Sequence, residues 1–397
     1  MRKEHIMQDE IAKIDEHLIH AYKRYPVIFD HGEDVYLFDI KGKKYLDFGG
    51  GIAVCALGYS CEPYKEALKK QIDKGIHFSN YFYSEPLREA AENICEISGM
   101  DKVFFCNSGS EANEGALKLA RKYAILNGHE HRHEIVSMDK AFHGRSMGAL
   151  SVTGTKKYRE PYEPMLAGVS FATYNDLDSV KALVTDNTYA IIVEALQGEG
   201  GIYPAEPEFI RGIREICDEN DIIMICDEVQ CGMGRSGKAF AFEHYGIRPD
   251  IMTMAKGIGG GITVGAFAAP AKVADCMVPG DHGTTFGGNP LSMAAINATI
   301  DQFKKQNLIA HVAEIGEYLG EKLQSLVDEK EICVSSRGLG LMRGLELSEP
   351  AAPYVSRALE EGLVLMAAGT HVIRFVPPLV IEKQHVDEMI GILRRVF

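Results

Sequence analysis

The sequence predicts an α/β fold, with a large domain on a mostly parallel central sheet and a smaller α+β domain beside it. Three observations lead there. From about residue 84 short apolar runs alternate with stretches of helical periodicity, the pattern of parallel strands covered by helices on both faces. After about residue 295 that alternation gives way to a long helical stretch and then clustered short strands. The 397 residues, 46% hydrophobic and 25% charged, can build a large core, which excludes a mainly disordered chain.

Each element has its own signal. Ile11, Ile14 and Leu18 recur at helical spacing among charged residues, predicting an N-terminal amphipathic helix. Residues 35–40 and 44–48 predict a hairpin turning around Gly42. Runs at 103–106, 134–138, 190–194, 222–226, 251–254 and 265–268 predict the strands of the large sheet, with helices at 110–125 and 207–220. Beyond 295, strands are expected around 341–347, 364–366 and 372–375. The expected division is an N-terminal helix and hairpin contributing to the small domain (1–60), a large domain (61–294) and a C-terminal small domain (295–397).

The charge balance narrows the function. Lys and Arg number 42 against 56 Asp and Glu, a net charge of −14, and the basic residues are scattered. Such a surface repels nucleic acids and anionic membranes, so neither is an expected partner. No apolar stretch approaches the roughly 18 residues that span a bilayer. The start, Met1-Arg2-Lys3-Glu4-His5, leads into an acidic amphipathic stretch unlike a signal or transit peptide. Nine cysteines without regular spacing read as reduced thiols. A cytoplasmic enzyme acting on small molecules is expected.

In open α/β sheets, ligands bind at the carboxyl ends of strands, so the residues just past each run carry most information. Asn107-Ser-Gly-Ser-Glu111 follows one strand and opens a helix. Ser108 and Glu111 match a capping box, and Gly109 and Ser110 leave amides approachable, so the segment is either a phosphate cradle or a helix cap alone. Asp227 and Glu228 follow the next relevant strand, and Lys256 the one after, before Gly257-Ile-Gly-Gly-Gly261. A phosphate cradle, an acid and a poised lysine together suit a phosphorylated cofactor held through the lysine amine. Two motifs compete. His129-Glu-His-Arg-His133 matches H-E-x-x-H but falls in an expected loop, so no metal is expected. Gly232-Met-Gly-Arg-Ser-Gly237 matches G-x-G-x-x-G, and nearly a P-loop, but is separated from its strand and carries Ala239 where Ser or Thr is needed. It is expected to be a scaffold turn.

These segments, with Phe142-His-Gly-Arg145, Gln197-Gly-Glu-Gly-Gly201, Asp227-Glu-Val-Gln230, Ala255-Lys256 and Thr284-Thr-Phe-Gly-Gly-Asn-Pro290, stand in the order seen in class III aminotransferases, which the chain resembles over almost its whole length. The resemblance implies the fold-type I architecture and pyridoxal 5′-phosphate as cofactor. Within the class, Ser79-Asn-Tyr-Phe-Tyr-Ser-Glu-Pro86, Pro279-Gly-Asp-His-Gly283 and Val372-Ile-Arg-Phe-Val-Pro-Pro378 are most similar to the acetylornithine aminotransferase subfamily.

By that resemblance Lys256 is the covalent attachment point and proton carrier, and Asp227 the partner of the pyridine nitrogen. Phe142 stacks on the ring, Val229 and Gln230 line it, and Ser108, Gly109 and Ser110 hold the phosphate. Thr285 reaches the phosphate from the other subunit, which implies a homodimer with shared sites. Arg145 is the implied fork for the α-carboxylate of N2-acetyl-L-ornithine, Arg374 the partner of 2-oxoglutarate or glutamate, Glu199 the gate on Arg374, and Thr284 a further substrate contact. The implied reaction transfers the terminal amino group of N2-acetyl-L-ornithine to 2-oxoglutarate in arginine biosynthesis. Related donors (N-succinyl-diaminopimelate, ornithine, 4-aminobutyrate, acetyl-lysine) keep the chemistry, and an aminomutase keeps Lys256 and Asp227 without needing 2-oxoglutarate. The sequence departs from the subfamily at Cys55, at Gly58-Tyr-Ser-Cys-Glu-Pro63, at Ala195 and in Gly257-Ile-Gly-Gly-Gly261. None of these removes a cofactor group, and the Cys55 region bears on donor specificity.

Overall fold

The computed structural model describes residues 2–397; Met1, and with it the first residue of the N-terminal reading, lies outside them. A seven-stranded sheet forms the centre, in the order Lys102–Cys106, Gly265–Ala269, Ile251–Ala255, Ile223–Asp227, Thr188–Val193, Glu134–Met138, Val169–Ala172. Only Gly265–Ala269 runs antiparallel to its neighbours, so the sheet is mostly parallel as expected. Its strands are apolar at nearly every position because both faces are covered. Ile223 and Ile225 point to the side of helix Gly109–Leu126, while Met224 and Cys226 join Phe209, Ile210 and Ile213 of helix Pro207–Asn220 on the other.

The sequence reading missed the strand Val169–Ala172. It is an edge strand bonded only to Glu134–Met138 and half-buried over most of its length, so it lacks the continuous apolar signature of the centre. A second omission is Cys333–Leu339, the edge of the small antiparallel sheet, whose Ser335, Ser336 and Arg337 interrupt the apolar pattern. The single long helix expected after 295 is two, Pro290–Lys305 and Leu308–Glu329, broken at Asn307 in a left-handed conformation.

Two small sheets flank the central one. Phe29–Glu33, Tyr36–Asp39 and Lys44–Asp47 form an antiparallel meander whose last strand pairs in parallel with Leu363–Val364, Leu46 opposite Leu363. The other runs Cys333–Leu339, Met342–Leu347, Val372–Phe375, Met366–Ala368, and sets Arg374 opposite Gly344 and Met366. The run expected as one strand at 364–366 therefore divides between both sheets. Among the described residues, no helix is long and apolar enough to cross a membrane.

Candidate active site

The parallel strands all point their carboxyl ends the same way, and the segments that leave those ends meet in one place. Asp227 ends Ile223–Asp227, and Lys256 follows Ile251–Ala255, the strand hydrogen-bonded beside it. Asn107 to Ser110 leave Lys102–Cys106, Phe142 to Arg145 follow Glu134–Met138, and Glu194 follows Thr188–Val193. Sequence-distant groups are neighbours because the sheet brings strand ends together.

Asp227 is buried and held by three hydrogen-bond partners. Its Oδ2 accepts from Asn113 Nδ2 at 2.8 Å and faces His143 Nδ1 at 2.7 Å, and its Oδ1 accepts from the Val229 N–H at 3.0 Å. His143 Nε2 and Asn113 Oδ1 are buried without a partner. Neighbouring Glu194 accepts from the N–H groups of Phe142 (3.2 Å) and Gly198 (3.3 Å), yet burial pushes its carboxyl up to about 7, against the pull of His143. Glu228 turns away from this cluster: it accepts from the Ala241 and Phe242 N–H groups at 2.8 and 2.9 Å, and burial raises it to about 7.

Lys256 opens a short 3-10 turn with φ +49°, a left-handed backbone unusual for a lysine. Burial is the main force on its ammonium and lowers it to about 8; Arg374 lowers it too, while Glu199, Asp227 and Glu194 raise it. It forms no ion pair among the described residues.

Arg374, buried on Val372–Phe375, pairs its guanidinium with Glu199 and donates to Gln230 Oε1 at 3.0 Å, while Gln230 Nε2 lies 3.4 Å from Glu199. Burial opposes ionisation of Glu199, but the Arg374 charge outweighs it and holds the carboxyl below its usual range. Arg145 differs. It is exposed, has no carboxylate partner among the described residues, and stacks at 3.7 Å over the Tyr158 ring and 5.3 Å from that of Phe142.

Ser108 caps helix Gly109–Leu126, its Oγ accepting from the Glu111 N–H at 3.3 Å. The expected box closes on one side only: the Glu111 carboxylate takes the N–H and side-chain amide of Asn107, both at 2.9 Å, one residue before the cap. Ser110 Oγ accepts from the Arg145 N–H at 2.9 Å and the Ser146 N–H at 3.3 Å, leaving its own proton to give. Gly144, at φ +138°, lets that turn come close, since a Cβ there would sit 2.0 Å from Ser110 Oγ. These residues fit pyridoxal phosphate. The helix end offers amides and a hydroxyl to a phosphate; Asp227 offers a carboxylate to a protonated ring nitrogen; Lys256 offers a depressed amine to an aldehyde.

Thr284 Oγ1 accepts from Asn107 Nδ2 at 2.9 Å and from the Gly287 N–H, whereas Thr285 and Phe286 are exposed. The competing motifs lie elsewhere. His129 pairs with Asp221 and His133 with the His131 carbonyl, in an irregular stretch before Glu134–Met138. The Gly232 to Gly237 segment forms consecutive turns that bury Arg235, which donates to the Leu341 and Pro377 carbonyls and ties the large sheet to the C-terminal part. Sequence reasoning assigned no role to Asn113, His143, Glu194 or Tyr158. His143 sits inside a motif already singled out, Asn113 lies two residues beyond another, Glu194 is the last residue of a predicted strand, and Tyr158 carries no local signal.

Comparison with known proteins agrees with this geometry. The family described as aminotransferase class-III matches residues 19–397. The acetylornithine aminotransferase of Methanocaldococcus jannaschii is 44% identical over 379 residues, covering 96% of this chain and 95% of that protein. The one from Caldanaerobacter subterraneus subsp. tengcongensis is 46% identical over 378 residues, covering 95% and 96%. Among solved structures, ornithine aminotransferase from Toxoplasma gondii ME49 superposes with a TM-score of 0.94 at 27% identity, covering 98% of this chain and 94% of that one. Acetylornithine aminotransferase from Elizabethkingia anophelis gives 0.88 at 29% identity, covering 98% of both. The shared fold thus spans more than one amino donor.

Proposed function

The chain belongs to the class III aminotransferases, and from that membership we propose that it transfers the terminal amino group of N2-acetyl-L-ornithine to 2-oxoglutarate, giving N-acetyl-L-glutamate 5-semialdehyde and L-glutamate. The reaction class is carried by one observation: a buried lysine lowered to about 8 beside the Asp227 network and the Glu199–Arg374 pair. The donor is supported by near-full-length likeness to proteins of that name.

Bound pyridoxal phosphate supplies an aldehyde for the amino group and an electron-withdrawing ring. The protein's residues do the rest. Burial lowers the Lys256 amine to about 8, which favours the neutral form that can take a proton from the substrate carbon and return it. Asp227, kept in place by Asn113, His143 and the Val229 amide, holds a positive charge at the ring nitrogen. The amides of Gly109 and Ser110 with the Ser110 hydroxyl, beside Ser108, hold the phosphate, and Phe142, Val229 and Gln230 line the ring. Arg145 takes the donor's α-carboxylate with its free fork. Arg374 takes the α-carboxylate of 2-oxoglutarate once Glu199 swings away.

The reading includes a homodimer in which Thr285 serves the other subunit's phosphate. Tyr81 (93% exposed), Tyr83 (100%), Phe82 and Phe286 support it, because so much contiguous apolar surface calls for a cover. The division at residues 60 and 294 and a cytoplasmic location are also part of this proposal. The Lys44–Asp47 pairing with Leu363–Val364 supports grouping the N-terminal segment with the C-terminal unit.

The test is the visible absorption of cofactor-loaded protein before and after N2-acetyl-L-ornithine without 2-oxoglutarate. Loss of the visible band, restored by 2-oxoglutarate, is expected. A band that ignores this donor and answers to ornithine or N-succinyl-diaminopimelate would move the assignment there. The same donor consumed without any need for 2-oxoglutarate would indicate an aminomutase.

A further inference from the structure

The turn after strand Lys44–Asp47 is held in a conformation its own residues resist. Gly50, Gly51, Ile52 and Ala53 all have positive φ, Ile52 at 65° and Ala53 at 63°. For a β-branched residue this is strained backbone, which persists only where the surroundings over-determine it. Burial of the side chain does little for Ile52, which is among the exposed apolar residues.

The turn lies between two segments of the candidate site. A Cβ on Gly50 would come 2.3 Å from the carbonyl of Val376, two residues beyond Arg374. A Cβ on Gly257, one residue beyond Lys256, would lie 3.9 Å from the Ala53 carbonyl. Asp47 holds the start of the turn: buried, it accepts the Gly49 and Gly50 N–H groups on Oδ1, both at 2.9 Å. Its other oxygen accepts the Tyr59 hydroxyl at 2.7 Å. Tyr59 is itself fixed, by its N–H on the Asp34 carbonyl at 2.8 Å and by its ring against Gly32, where a Cβ would meet Tyr59 Cγ at 2.3 Å. The tyrosine that departs from the subfamily pattern thus links Asp47, and through it the turn, to the backbone of Asp34.

We propose that Tyr59 is a positioning residue: by holding the Asp47 carboxylate it fixes the left-handed turn 50–53, which buttresses the backbones beyond Lys256 and Arg374 and so tunes both half-reactions. The kinetic part rests on the function proposed above; the structural part does not.

Tyr59→Phe removes only the hydroxyl. In cofactor-loaded protein, amide hydrogen exchange at Gly49 and Gly50 should quicken by about tenfold, the ratio expected for one lost hydroxyl-to-carboxylate bond. Exchange in Ile223–Asp227 should stay unchanged, and kcat/KM for donor and for 2-oxoglutarate should fall together. Unchanged exchange at residues 49–53 overturns the proposal, and so does an equal rise across the central sheet, which would make the bond a general stabiliser. If the wild-type protein does not use N2-acetyl-L-ornithine, the donor assignment fails alone, and the exchange still decides the role of Tyr59.

Discussion

Arg374 and Glu199, 175 residues apart, form an ion pair at the candidate site, with Gln230 hydrogen-bonded to the guanidinium and within 3.4 Å of the carboxylate. A buried guanidinium that loses its paired carboxylate costs several kcal/mol, so Arg374 should seek another carboxylate whenever Glu199 is removed. Glu199→Gln should therefore lower KM for 2-oxoglutarate several-fold, while kcat/KM for the donor falls about tenfold. Steady-state kinetics with each substrate varied in turn decide this. Unaltered values for both would end the gate reading.

Among the described residues Arg145 has no carboxylate to hold, and its fork stacks on Tyr158 at 3.7 Å. Lysine keeps the charge but loses both the planar pair of donors and the stacking. Arg145→Lys should cut kcat/KM for N2-acetyl-L-ornithine by roughly 10–100-fold, the equivalent of about 1.5–3 kcal/mol, with little change in KM for 2-oxoglutarate. An equal effect on the two substrates would move the donor carboxylate elsewhere.

Burial raises the Glu228 carboxyl from 4.5 to about 7. Its neutral form is favoured in the folded state, so the stability it contributes is fully present below pH 4.5 and is lost as pH rises through about 7. Over that window the loss is on the order of 3 kcal/mol. Glutamine does not titrate. Urea unfolding of cofactor-free protein should therefore find Glu228→Gln the less stable at pH 4.5, through the weaker cap on Ala241 and Phe242, and gaining on wild type as pH rises to 8. A difference independent of pH would mean that Glu228 ionises normally.

The segment Ile76 to Tyr83 and the Thr285–Phe286 loop make one surface, joined by the Asn80 amide on the Thr284 carbonyl at 2.8 Å and by His77 against Phe286. Tyr83→Asp puts a charge in its middle, where desolvation is costly. Sedimentation should find a dimer for wild type and a shift towards monomer for the variant, with looser retention of pyridoxal phosphate. A monomeric variant that keeps the cofactor as tightly would remove Thr285 from the phosphate site.

Much of this architecture was legible because parallel strands buried on both faces must be apolar throughout, and Glu134–Met138, Pro207–Asn220 and Val372–Phe375 carry their limits in local pattern. Among the strands that went unread, Phe29–Glu33, Val169–Ala172 and Cys333–Leu339 are edges, where one side lacks a partner and polar residues are tolerated. Asp227 and Lys256 were legible as strand-end residues of an α/β sheet. What the sequence by itself determined is therefore the run of strands and helices, the family, and which residues leave the strands at their carboxyl ends. Only the tertiary structure decided which of them touch: Asp227 with His143 and Asn113, Arg374 with Glu199, and Tyr59 with Asp47. Periodicity is a local property of three or four residues, whereas these contacts join positions as far as 175 residues apart and exist only once the sheets have formed.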